Sequence, residues 1–173
     1  MRAMVSNLVG LGLLTLIAGA YAEENGWGSA DDVAYAEKLV AELLDAKLVG
    51  PECIIKKPYK GTHPHGAVLD TVEAEITIGG HTGIAIVKRN FGGKDVTPEK
   101  VAAEPMKYFA AHTIMYKREQ GYDPDNGDWF WVRAGGDNEL SVRGGHKMAG
   151  KMEQACMACH RAAPGGDFKF LSD

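Results

Sequence analysis

Cysteine is scarce in this chain, with three in 173 residues, and their positions limit what they can do. Cys53 stands alone while Cys156 and Cys159 lie close together near the C-terminus. No intramolecular staple is available to Cys53, and thiolates alone cannot build a four-ligand structural zinc site. Long apolar runs are scarce too. The N-terminal run from Leu8 to Ala18 is shorter than the roughly 20 residues a membrane-spanning helix needs. Clustered positive charge is missing as well: the formal net charge is −4 and basic residues are scattered among acidic ones. That leaves no electrostatic footprint for nucleic acid and implies neither a DNA nor a membrane partner. Repeats, linkers and low-complexity blocks are also lacking, so the chain reads as one domain with a core of useful size.

At the N-terminus, Arg2 precedes the apolar run, and Ala20-Tyr21-Ala22 supplies a small-x-small cleavage pattern. Residues 1–22 are therefore expected to be a signal peptide cleaved after Ala22, leaving a single domain over 23–173. Export to the periplasm follows from that reading.

The most specific string in the chain is Cys156-Met157-Ala158-Cys159-His160. Two intervening residues put the thiols about one turn apart, where they can bond the two vinyl groups of a haem, and the next imidazole can take the iron. One haem c per chain is the expectation, with Cys156 and Cys159 as attachment sites and His160 as the iron ligand. A redox Cys-x-x-Cys pair would instead open a helix after an early strand. Half a zinc site would need further ligands that Cys53 alone does not supply. Export fits the haem reading, because covalent haem attachment is a process of exported proteins.

Between these ends the pattern alternates helix and strand. Ser29, Asp31 and Asp32 open a helix whose apolar positions Val33, Ala36, Val40, Leu43 and Leu44 recur at three and four residues until Gly50-Pro51. Cys53, beside Ile54 and Ile55, is expected to be a small buried hydrophobe. Ala67 to Ile78, a Gly79-Gly80 turn and Gly83 to Lys88 read as a β-hairpin. Thr97-Pro98 starts a short helical segment. Tyr108 to Lys117 and Trp129 to Val132 read as third and fourth strands, joined by the turn-rich Gly121 to Gly127. Lys147 to Arg161 has helix-forming composition. The expected fold class is α+β, an antiparallel β-sheet with flanking helices, the haem lying between the sheet and the C-terminal segment.

Several strings in this order resemble one family: Ile86-Val87-Lys88-Arg89-Asn90-Phe91, Met115-Tyr116-Lys117-Arg118, Gly121-Tyr122-Asp123-Pro124, Asp128-Trp129-Phe130-Trp131-Val132 and the terminal haem motif. Over Pro64 to Asp173 the chain is similar to the cytochrome P-460 superfamily. That resemblance implies a mostly β homodimer with a five-coordinate haem, His160 on one side and an open site on the other. One branch, cytochrome P-460 itself, oxidises hydroxylamine with a haem cross-linked to lysine. The other, cytochrome c′-β, lacks the bond and binds nitric oxide or carbon monoxide. Lys88 matches the cross-linking lysine by its place in the Val-Lys string, and such an amine reacts only when burial lowers its pKa.

Enzymatic members add a distal carboxylate and often an arginine on the first hairpin strand. The arginine has no counterpart here. Asp70 or Glu73 would supply the carboxylate, as strand alternation puts one on each face and a one-residue change of register exchanges them. His65 is a candidate second iron ligand or proton donor, and Met106, Met115, Met148, Met152 and Met157 are core fillers by default. Trp129, Phe130 and Trp131 should alternate across the sheet. Two functions follow: binding or conversion of small nitrogen species at an open iron, or electron transfer through a closed six-coordinate iron, with another cytochrome as redox partner in either case.

Overall fold

The computed structural model describes residues 26–170; the expected signal peptide and its cleavage point lie outside them. Helix α1 spans Ala30–Asp45, capped by the Ser29 hydroxyl, which accepts from the Asp32 N–H at 3.1 Å. Asp31 and Asp32 sit in its first turn, where carboxylates meet the positive end of the helix dipole. Ala36, Leu39, Val40 and Leu43 form its buried stripe. Burying one such leucine contributes about 1.5–3 kcal/mol.

Strands β1 (Tyr59–Lys60), β2 (Val68–Ile78), β3 (His81–Phe91), β4 (Phe109–Lys117) and β5 (Trp129–Ala134) follow as an antiparallel meander, each hydrogen-bonded to the next. Gly79 and Gly80, at φ of 58° and 88°, make the β2–β3 turn, in which positive φ matches the twist of the flanking strands. Two short helices, α2 (Pro98–Ala103) capped by Thr97 and α3 (Pro105–Tyr108), carry the chain from β3 to β4. After β5 come a small ribbon, β6 (Val142–Arg143) and β7 (His146–Lys147), and then β8 (Ala149–Gly150), which closes the sheet against β5.

Period-two alternation gives the sheet two distinct faces. One carries Val72, Ile76, Ala85, Val87, Ile114, Tyr116, Phe130 and Val132, which pack under α1. The other carries Ile86, Met115, Trp129 and Trp131, which pack with Trp27, Met148, Met152 and Met157. The expected alternation along Trp129-Phe130-Trp131 is therefore observed, with the two tryptophans on one face and Phe130 on the other.

The expected helix at Lys147 to Arg161 is replaced by other structure. Its start pairs in β7 and β8, Met152 adopts φ of 49°, and only a π-turn (Glu153–Met157) and the single turn α4 (Ala158–His160) are helical. Gly150 has φ of 124°, and a Cβ there would lie 2.8 Å from an Asp32 carboxylate oxygen, so β8 approaches the start of α1 as only glycine permits. The region of Cys53 also differs from expectation. Cys53 is half-buried in an irregular stretch and Ile54 is 69 % exposed.

Candidate functional site

The register of the sheet places Thr71, Lys88, Thr113 and Arg133 side by side on four neighbouring strands, on the face away from α1. Between this face and the C-terminal segment lies a cleft of about 830 Å³, within the roughly 300–1,000 Å³ of small-molecule and cofactor sites. His65, Lys88, Thr113, Cys156 and His160 line both the cleft and a smaller inner pocket walled by Ile86, Met115 and Trp131. Cys159 lies at the cleft as well, together with Arg133 and Arg143.

His160 is fixed by the backbone. Its Nδ1–H donates to the Phe168 carbonyl at 2.6 Å, which assigns the proton to Nδ1 and leaves the Nε2 lone pair for a metal. Trp131 and Phe170 pack against the ring edge to face, with centroids at 4.6 and 5.3 Å. The following residue anchors the motif to the body of the protein: the Arg161 guanidinium donates to Asn126 Oδ1 at 2.9 Å from a turn next to β5.

Lys88 is 6 % exposed, and its Nζ donates to the Phe170 carbonyl at 2.6 Å. Burial holds its pKa below the usual lysine range. Burial and the nearby Lys88 charge bring His65 down to about 4, so its imidazole is neutral. Thr113 Oγ1 lies 3.2 Å from His65 Nδ1 and accepts from Asn90 Nδ2 at 3.4 Å.

Burial, reinforced by Cys159, pushes the Cys156 thiol up to about 12. A nucleophilic redox pair requires the opposite shift, toward a stabilised thiolate. Among the described residues, no group of three or more His, Cys, Asp or Glu side chains is placed to hold a metal ion.

Asp70 is not part of this site. It pairs in register with Arg89, one residue along from the Thr71–Lys88 pair, so both project from the α1 side of the sheet. There the Asp70 carboxylate forms a buried ion pair with Arg89 and accepts the N–H groups of Lys56 and Lys57. Glu73, opposite Ile86, is on the cleft side of the sheet but exposed. Arg89, on the second hairpin strand, likewise faces away from the cleft.

Sequence reasoning did not anticipate the part played by Asn90, Arg133, Phe168 and Phe170. The period-two pattern around Lys88 could have indicated Asn90. The two phenylalanine carbonyls are backbone groups with no side-chain signature.

The residues present fit a covalently held haem. An imidazole nitrogen without a hydrogen bond among the described residues and two thiols converge at a cleft with aromatic and aliphatic walls, and two arginines at that cleft suit porphyrin carboxylates. No family model matches the chain, and no curated protein or solved structure matches it.

Proposed function

We propose that this chain is an exported c-type haem protein of the cytochrome P-460 and c′-β kind, which binds or converts small nitrogen species at the iron. The observation that carries the reading is the convergence of His160, Cys156, Lys88, His65 and Thr113 on one pocket, with His160 oriented by its Nδ1 bond to Phe168. Cys156 and Cys159 would form the thioethers and His160 would bind the iron. When bound, the haem supplies a metal able to take up nitric oxide or carbon monoxide and to exchange electrons.

The chain's own contribution is the surroundings of that metal. Ile86, Met115 and Trp131 exclude water and favour neutral diatomic ligands. Lys88 offers a buried amine whose pKa burial lowers, the direction that a lysine–porphyrin bond would need. Among the described residues no carboxylate lines the inner pocket, so the proton transfers of hydroxylamine oxidation would fall to His65 or Lys88. This supports nitric oxide binding over hydroxylamine turnover. The reading also carries a homodimer, to which the exposed Glu73, Glu75 and Ile84 of the outer hairpin offer a surface, and a cytochrome as redox partner.

The ferrous absorption spectrum with and without carbon monoxide tests this function. A c-type spectrum that changes on carbon monoxide addition supports ligand binding. A strongly red-shifted band, with Lys88 joined to haem in peptide mass analysis, moves the assignment to the enzymatic branch. A reduced spectrum indifferent to carbon monoxide and nitric oxide leaves electron transfer, which the nearness of His65 to His160 favours.

A further inference from the structure

His65 and His160 both line the cleft, with ring centroids 6.0 Å apart and ring planes at 88°. Two imidazoles bound to opposite sides of one metal, each through a nitrogen at about 2 Å, have their centres about 6 Å apart. The separation is that of a shared metal. On the reading of the cleft as a haem site, we propose that His65 is a displaceable sixth ligand of the iron, so that an incoming ligand must expel an imidazole rather than enter a vacant position.

Two further observations support this. Thr113 Oγ1 lies 3.2 Å from His65 Nδ1 and has two lone pairs, so it can accept both Asn90 Nδ2–H and His65 Nδ1–H; ligation requires that tautomer, with the proton on Nδ1 and a bare Nε2. Each histidine is then held by its Nδ1 and presents its Nε2, as metal-bound histidines commonly do.

The backbone beneath His65 is also fixed. His65 lies in the 61–67 loop between β1 and β2. That loop is closed by Gly61 N–H to the Ala67 carbonyl at 2.8 Å and tied to β3 by Ala67 N–H to the Phe91 carbonyl at 3.1 Å. At Gly66, φ is 130° and a Cβ would lie 2.8 Å from the Phe91 carbonyl oxygen, so the loop rests directly on β3. Release of His65 would need only side-chain rotation and the loss of its Thr113 hydrogen bond, with the loop left in place.

The consequence is selectivity by ligand strength. Nitric oxide and carbon monoxide bind ferrous iron strongly enough to replace an imidazole, whereas water and weak bases do not. If the open form is a minority of about 1 %, affinity for any ligand falls about 100-fold relative to a permanently open site.

The test uses holoprotein matured in a host that attaches c-type haem, comparing wild type with His65→Ala and His65→Gly. Wild type should give a low-spin, bis-imidazole electron paramagnetic resonance spectrum in the ferric state. Both variants should become high-spin, bind carbon monoxide about 100-fold more tightly, and return to the low-spin signature when free imidazole is added. In wild type the carbon monoxide association rate should level off at high concentration, limited by release of His65; in His65→Ala it should stay linear.

A high-spin wild type with covalent haem overturns the proposal and leaves the haem reading standing. So does a low-spin wild type whose spectrum His65→Ala does not alter, since another side chain would then be the ligand. Wild type without covalent haem overturns both. Thr113→Val guards against a folding artefact: with His65 intact, it should weaken the low-spin signature without abolishing it, and no change would contradict the anchoring assigned to Thr113.

Discussion

Lys88 and His160 are held by the same short stretch of chain. Lys88 Nζ donates to the Phe170 carbonyl and His160 Nδ1 to the Phe168 carbonyl, each at 2.6 Å. Trp129 Nε1 holds the Asp167 carbonyl at 3.2 Å just before it, so the segment acts as a strap across the cleft. Ending the chain after Asp167 should free both side chains. Without its carbonyl acceptor the His160 imidazole is a poorer donor, and the loss of such a partner typically weakens the metal's hold or its activity by about 10- to 100-fold. With His65→Ala as the background, so that the ferrous iron is five-coordinate, resonance Raman spectra should show a lower iron–histidine stretch in the shortened chain, and the reduction potential should rise. An unchanged stretch would mean the Phe168 carbonyl does not tune the ring.

Replacing Asp70 should damage stability and spare the haem. The carboxylate lies on the α1 face with the Arg89 guanidinium, each side chain 1 % exposed. Removing one partner strands a buried charge and costs about 3–5 kcal/mol. Urea denaturation of Asp70→Ala should show that loss, while the absorption spectrum of the folded haem protein keeps its band positions. A spectral shift as large as that of a cleft substitution would return Asp70 to the site.

Acid should destabilise the protein through His112. Its ring is 1 % exposed, and burial, with the adjacent Arg89 charge, lowers its pKa from 6.5 to about 4. A depressed folded-state value means the unfolded chain binds the extra proton first, so stability is complete above the unfolded pKa and declines as pH falls from 6.5 toward 4. The loss over that window is up to about 3 kcal/mol. His112→Gln should flatten this part of the stability–pH curve, as measured by urea midpoints. An equally steep curve in the variant would place the titrating group elsewhere.

Gly66→Ala should disturb the cleft from a distance. The substitution forces a side chain onto a positive-φ residue whose Cβ would meet the Phe91 carbonyl oxygen, at a cost of about 1–3 kcal/mol. The 61–67 loop must lift from β3, and His65 moves with it. A partial gain of high-spin ferric signal together with a lower urea midpoint is expected; a lower midpoint with an untouched spin state would separate the loop from the iron.

The sheet and α1 were readable because local and tertiary preferences agree there. Ser29, the apolar stripe from Ala36 to Leu43, the Gly79-Gly80 turn and the Thr97-Pro98 start all lie where short-range chemistry predicts. The tail was misread for the opposite reason. Its composition favours helix, yet β5 offers an open edge that Ala149 and Gly150 pair with, and long-range pairing overrides local propensity. The side of the sheet taken by Asp70 was unreadable in principle, because it depends on a register that one residue reverses. Cys156, Cys159, His160, Lys88 and His65 were legible as candidates. Their convergence was not, since His65 and His160 meet only through the loop before β2 and the turn that follows β8.

The most direct measurement is intact mass and acid–acetone extraction of the full chain, produced with an export signal in a host that matures c-type haem. The chain should carry one haem that extraction does not remove, and Cys156→Ala with Cys159→Ala should abolish attachment. A colourless protein, or haem bound equally well without both cysteines, would contradict the assignment of this cleft.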